Sequence, residues 1–170
     1  MTLALLPYSS LSLSEKDEAF QLMQTVFGMG FHLEDWAPID WILRIFSEDR
    51  LVSHLTVTDR TFDIGGKPVR IGGIGGVATL PEYRGKGHAS QALQTVAGFM
   101  LREMQVDFGL LFCGHKMEPF YHRFGWQRVD APVYFNQPDR KLLDDGILMY
   151  LACVDPSWPA GVVDVGGFPW

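Results

Sequence analysis

Residues 77–91, VATLPEYRGKGHASQ, constrain the fold of this chain more than any other stretch. Val77, Ala78, Thr79 and Leu80 favour a strand, and Pro81 ends its ladder by removing an N–H donor. Arg84-Gly85-Lys86-Gly87-His88-Ala89 then opens a helix whose apolar stripe runs through Ala89, Leu93, Val96, Met100 and Met104. Strand, loop and helix start therefore follow within fifteen residues. Two glycines let the backbone come close to a ligand and reach positive φ. Successive N–H groups at a helix N-terminus carry partial positive charge, and Arg84 and Lys86 add full charges. The unit suits a diphosphate, and its candidate contacts are Val77, Ala78, Thr79, Arg84, Gly85, Lys86, Gly87, His88, Ala89 and Ser90. A plain β-turn feeding a helix is the bland alternative. The P-loop pattern G-x-x-x-x-G-K-[ST] is absent. The G-x-G-x-x-A match at residues 73–78 runs into a strand where that motif needs a helix.

The rest of the chain arranges strands and helices around this unit. Residues 3–7 read as a first strand. Ser14 with Asp17 fits a helix start, followed by Phe20, Met23, Gln24 and Phe27 at helical spacing and a stop at Gly28. Trp36, Ile39, Leu43 and Phe46 suggest a second helix. Residues 50–62 form a long strand, Ile64-Gly65-Gly66-Lys67 a hairpin turn, and residues 69–80 the returning strand. That strand contains IGGIGG. Glycines inside a strand mark either a ligand laid along bare backbone or a bulge or tightly packed neighbour. Residues 108–114, FGLLFCG, read as a buried strand, so the intervening helix makes a βαβ crossover and a parallel pair. Residues 117–124 form a short helix capped by Gly125. Residues 126–129, 133–135 and 147–154 close the sheet. The proline-bearing tail from Asp155 reads as irregular and on the surface, with Trp158, Phe168 and Trp170 as apolar anchors able to pin it onto the body.

A length of 170 residues suits one domain with a real core, expected to span 1–170 with 155–170 as its tail. A net charge of −6 argues against a general nucleic-acid partner. No apolar run approaches a membrane span, and the N-terminus has no positive charge before Lys16. Two cysteines without a C-x-x-C, Cys113 and Cys153, read as reduced thiols in a cytoplasmic protein. No metal site is expected.

Two sets of residues carry a family resemblance. Arg84, Gly87 and Ala89 stand at the positions of the Q/R-x-x-G-x-G/A motif of the GNAT acyltransferases. Phe120-Tyr121 followed by Gly125-Trp126 resembles that superfamily's F-Y-x-x-x-G-[FW] element. The resemblance implies the GNAT fold: an α/β (α+β) chain with a single central mixed, mostly antiparallel sheet, a splayed parallel strand pair and about four flanking helices. It implies acetyl-CoA as co-substrate, its pyrophosphate on the loop. It also implies an acid role for Tyr121, because a neutral phenol with a pKa near 10 can protonate a departing thiolate. Packing of Tyr121 on the sheet is the alternative.

One branch, the aminoglycoside 2′-N-acetyltransferases, is similar in further features. These are a stretch like residues 31–36 ending Asp35-Trp36, a long hairpin, Gly-Val-Ala before the loop, Asp144-Asp145-Gly146, and a terminal tryptophan, here Trp170. There the terminal carboxylate helps bind the amine. This chain departs at Gly75 and Gly30, where that branch carries acids. The resemblance implies direct transfer to a primary amine of a small, aminoglycoside-like or otherwise cationic substrate, with backbone N–H groups near Ala78 polarising the thioester. Asp35, Glu82, His115 and the Trp170 carboxylate are candidate bases, with Asp35 and Trp170 carried over beside Tyr121. A covalent route through Cys113 would need an activated thiol, and its apolar surroundings argue against one. A binding module without turnover and a longer acyl chain are the other readings. The partner expected is a small-molecule amine, with no nucleic acid and no membrane, and with a homodimer left open.

Overall fold

The computed structural model describes residues 1–28, 36–144 and 146–170. In chain order the elements are β1 (Thr2–Pro7), α1 (Leu13–Phe27), β2 (Trp41–Ser47), β3 (Arg50–Ile64), β4 (Lys67–Thr79), α2 (His88–Phe99), β5 (Phe108–Cys113), α3 (Glu118–His122), β6 (Gln127–Arg128), β7 (Val133–Gln137), β8 (Arg140–Leu143), β9 (Ile147–Ala152) and β10 (Val163–Asp164). All the strands join one sheet with the path β6-β9-β5-β4-β3-β10-β7-β8, and β2 and β1 branch from β3.

β3 is the spine. One edge pairs with β4 from Ser53↔Thr79 to Ile64↔Lys67. Its other edge holds β2 over the first half and β10 at Ile64. Gly65 and Gly66, at φ +60° and +86°, make the turn between β3 and β4, as a two-residue hairpin loop requires. α2 carries the chain from β4 to β5, and the two strands pair in parallel. Leu93, Val96, Phe99 and Met100 bury the apolar stripe of α2 against Ile74, Leu111, Trp126 and Met149. A second core on the opposite face gathers Phe108, Leu110, Val163, Val165 and Trp170.

The expected mixed, mostly antiparallel sheet with its parallel pair is present, and three α-helices lie among the described residues where about four were expected. The helix expected from the spacing of Trp36, Ile39, Leu43 and Phe46 is instead β2. Ile42, Leu43, Arg44 and Ile45 are all buried between β1 and β3. A short apolar run fits either period, and pairing on both edges decides for the strand. α1 begins two residues earlier than expected. Ser12 caps it, its side chain accepting from the Glu15 N–H while the Glu15 carboxylate accepts from the Ser12 N–H. The Arg44 guanidinium also binds Glu15 at 2.9 Å. Those bonds, the Ser12 backbone first, hold the Glu15 carboxyl down at about 2.

The tail is irregular and mostly exposed over residues 155–162, and its end is pinned to the body, as its aromatic anchors imply. Val163 and Asp164 insert as β10 between β3 and β7, a placement with no sequence signal. Arg60 donates to the carbonyls of Val165 and Phe168 at 2.9 and 2.8 Å, and the Ala37 N–H donates to Pro169 at 2.7 Å. With its backbone groups satisfied the tail can be buried, and Trp170 is only 4% exposed. The glycine run of β4 explains where its ring goes. A Cβ on Gly73 would lie 2.4 Å from the indole ring, and one on Gly75 would lie 2.6 Å from the Trp170 carbonyl carbon. Gly72 makes the same room for Met100 on the other face. Tight packing is thus one use of IGGIGG.

This packing is testable by a double-mutant cycle in urea. Gly73→Ala should cost about 1–3 kcal/mol through overpacking. Combined with Trp170→Ala it should cost clearly less than the sum of the two single changes. Additive losses would mean that the ring does not sit on Gly73.

Candidate active site

β4 and β5 pair only from Ile71↔Phe108 to Ile74↔Leu111. Beyond that point β4 carries one extra residue. It runs from Gly75 to Ala78 while β3 runs from Thr56 to His54. Gly76 in this bulge sits at φ +54°. A bulge bends the strand that bears it, and here β4 leaves β5. Each strand keeps a partner on its outer edge: β3 for β4, and β9 for β5 out to Cys113↔Ile147. The inner edges separate around a cleft of about 730 Å³.

Side chains alternate along both strands, so the two walls differ. Ile74 and Leu111 pack in the core beneath α2. Phe112 packs with Trp170 on the opposite face, their rings 5.2 Å apart. The cleft is lined from both clusters and so runs through the sheet. On the α2 side its lining includes Thr79, Arg84, Ala89, Cys113, Phe120 and Tyr121. On the far side it includes Val26, Phe27, Trp36, Phe112 and Trp170.

At the α2 end the loop has the form its sequence implies. Gly85 and Gly87 are at φ +74° and +83°, and a Cβ on either would meet nothing within 4 Å. Gly87 is the N-cap of α2, with no side-chain cap on the helix N-terminus. Arg84 donates from Nε to the Thr79 carbonyl at 3.2 Å. Lys86 lies over the Tyr83 ring, 4.7 Å from its centroid, and Arg50 lies over the same ring at 5.8 Å. Open backbone at positive φ, bare N–H groups and nearby cations fit a diphosphate. Tyr83 and Arg50 were missed by sequence reasoning, because Arg50 is far along the chain. Ala78 is buried, its carbonyl accepting from Ser53. Val77 lines the cleft, while Ser90 is partly exposed on the first turn of α2. The His88 side chain is buried and neither ring nitrogen has a hydrogen bond among the described residues.

Tyr121 comes from α3, which Pro119 in its first turn helps to start. Its ring packs edge-on against Phe120 and Trp126 at 5.2 and 6.4 Å. Burial first, and the neighbouring Cys113 second, push its phenol up to about 12. It therefore holds its proton at any ordinary pH. Cys113 also lines the cleft. Burial, with Glu118 and Asp144 nearby, pushes its thiol up to about 11. The base candidates are scattered. Glu82 pairs with Arg50 at 3.1 Å, and His115 sits exposed in the turn after β5. Asp35, Gly30 and the rest of 29–35 lie outside the described residues, as does Asp145. Sequence reasoning missed the aromatic wall of Phe27, Trp36 and Phe112, whose members come from three separate segments.

The raised Cys113 thiol has a direct consequence. At pH 8 its thiolate fraction is about 100-fold below that of an ordinary cysteine, which slows alkylation accordingly. Peptide mass spectrometry after timed iodoacetamide treatment should find Cys113 far slower than a free thiol. Rapid labelling would reopen a nucleophilic role.

Comparison with known proteins accords with this geometry. The family model for the acetyltransferase (GNAT) domain matches residues 7–129. No curated protein matches the chain. Among solved structures, a conserved protein of unknown function from Enterococcus faecalis, described as a probable N-acyltransferase, aligns with TM-score 0.61 and 22% identity. That alignment covers 75% of this chain and 33% of that one. ElaA of Escherichia coli aligns with TM-score 0.65 and 20% identity, over 88% of this chain and 97% of its own. A GNAT family acetyltransferase from Brucella melitensis, in complex with acetyl-CoA, aligns with TM-score 0.63 and 16% identity, over 94% and 93%. This chain thus spans a third of the first of these neighbours and nearly all of the other two. At such identities the likeness concerns the fold, whereas the family match covers most of the chain: it belongs to the GNAT acetyltransferase family.

Proposed function

We propose that this chain moves an acetyl group from acetyl-CoA to the primary amine of a small acceptor by direct transfer. The observation that carries the reading is one cleft that reaches from Arg84 and Ala89, which flank the positive-φ loop at Gly85 and Gly87, to the buried phenol of Tyr121. Acetyl-CoA supplies an activated thioester with a thiol leaving group. The loop and the α2 N-terminus bind the diphosphate, with Arg84 and Lys86 neutralising it. The inner edges of β4 and β5 have lost each other as ladder partners, so their amides are available to a polar arm. The bulge at Gly76 supplies backbone N–H to polarise the thioester carbonyl. Tyr121 keeps its proton at the hydroxyl and gives it to the departing sulfur. A direct route also agrees with a Cys113 thiol pushed up to about 11.

An aminoglycoside-like or other polycationic acceptor has less support. No Asp or Glu side chain is among the described residues lining the cleft. No helix among the described residues is long and apolar enough to cross a membrane. Both cysteines are unpaired, which accords with a reducing cytoplasm.

Two substitutions test the reading from its two ends. Gly87→Val forces a branched side chain to positive φ and should weaken acetyl-CoA binding at least about ten-fold, or about 1.4 kcal/mol, by calorimetry. Unchanged affinity would remove the loop from the site. Tyr121→Phe should lower kcat by about 10²–10⁴-fold, read as thiol release, with acetyl-CoA affinity nearly intact. An unchanged kcat would leave Tyr121 as a packing residue.

A further inference from the structure

The far side of the cleft differs in chemistry from the loop side. Val26 and Phe27 come from the last turn of α1, Trp36 from the segment before β2, Phe112 from β5 and Trp170 from the tail. All are apolar or aromatic. The only charged side chain among the described lining residues is Arg84, which belongs to the diphosphate end. The wall is also fixed in place. The Trp170 ring lies on bare backbone at Gly73, its Nε1 donates to the Leu110 carbonyl at 3.4 Å, and Arg60 lies 5.8 Å from its centroid while holding the preceding carbonyls. Phe27 at the mouth remains 51% exposed.

We infer that this wall is the acceptor subsite and that it selects amines with an apolar, aromatic body over polar or polycationic ones. The inference rests on the acetyltransferase reading, since it assigns the side of the sheet opposite α2 and Tyr121 to the nucleophile. Three considerations carry it. The donor end is identified by its anion-binding loop, so the opposite face is left for the amine. A subsite walled by aromatic rings stabilises a ligand in proportion to the apolar area it removes from water, and rings add edge and face contacts. A polycation there would lose hydration and find, apart from the α-carboxyl of Trp170 beside Gly75, no carboxylate among the described lining residues to replace it. An acceptor with one amine and one aromatic body can place its nitrogen at the thioester while its body stays on the wall.

The test compares 2-phenylethylamine, ethanolamine and spermidine as acceptors at saturating acetyl-CoA, with the protein and its Trp36→Ala variant. 2-Phenylethylamine should exceed both others in kcat/KM by at least about ten-fold. Trp36→Ala should shrink that advantage mainly through a higher KM for 2-phenylethylamine, while acetyl-CoA affinity by calorimetry is retained. Equal or better use of ethanolamine or spermidine, with acetyl-CoA still bound, overturns the inference and leaves the acetyltransferase reading standing. So does a Trp36→Ala effect confined to octanoyl-CoA as donor, because the wall would then hold the acyl chain. Failure to bind acetyl-CoA at all would remove the underlying reading instead. Phe112→Leu, which keeps an apolar side chain in the sheet, should repeat the KM effect if Trp36→Ala lowers stability.

Discussion

The parallel pairing of β4 with β5 stops after Ile74↔Leu111, and the site depends on that stop. A strand that leaves a sheet exposes backbone donors and acceptors, which is costly unless they find partners. Here the cost is halved because neither strand is at an edge. β4 stays paired with β3, and β5 with β9, while only the facing edges come apart. What faces the cleft is therefore polar backbone in fixed positions. The bulge at Gly76 sets where the separation begins, because one extra residue on β4 bends it away.

The glycines of β4 serve two ends at once, and their position along the strand separates them. Gly72 and Gly73 admit Met100 and Trp170 from opposite faces, and are packing devices. Gly75 and Gly76 also border the cleft, where a small residue keeps the backbone open to a ligand. The Trp170 ring could not lie so close to any strand that carried side chains on that face. Arg60 completes the arrangement from β3 by taking the carbonyls of Val165 and Phe168, so the tail is held by the same strand that supports β4.

Chemistry in the cleft follows from low polarity on the α2 side. Tyr121 and Cys113 are both driven toward their neutral forms by desolvation first; Cys113 adds to the effect on Tyr121, and Glu118 and Asp144 add to that on Cys113. A proton-rich phenol beside an inert thiol suits an acid better than a nucleophile. Among the described lining residues the opposite wall has rings and aliphatic side chains, so in the proposed acceptor subsite a ligand would be selected by area and shape.

Local pattern was enough for the parts whose neighbours lie close in sequence. Residues 77–91 determined a strand, a glycine loop and a helix start by their own torsional and capping preferences, and the crossover to residues 108–114 follows from chain handedness. The β3–β4 hairpin was equally legible from Gly65-Gly66. Tyr121 could be singled out from its motif, but its raised phenol depends on Trp126, Phe120 and Cys113 closing around it. β2 resembled a helix because a short apolar run has no clear period until β1 and β3 flank it. Trp158, Phe168 and Trp170 marked a tail that could be pinned, but β10 has only two residues, and its register exists only where β3 and β7 already stand. The sequence by itself determined the glycine loop at the start of α2 and singled out Tyr121, since both rest on patterns within a few residues. The tertiary structure alone decided where the splay begins, the insertion of β10 and the aromatic wall, because those join segments far apart in the chain, such as Phe27 and Trp170, through burial that no local pattern encodes.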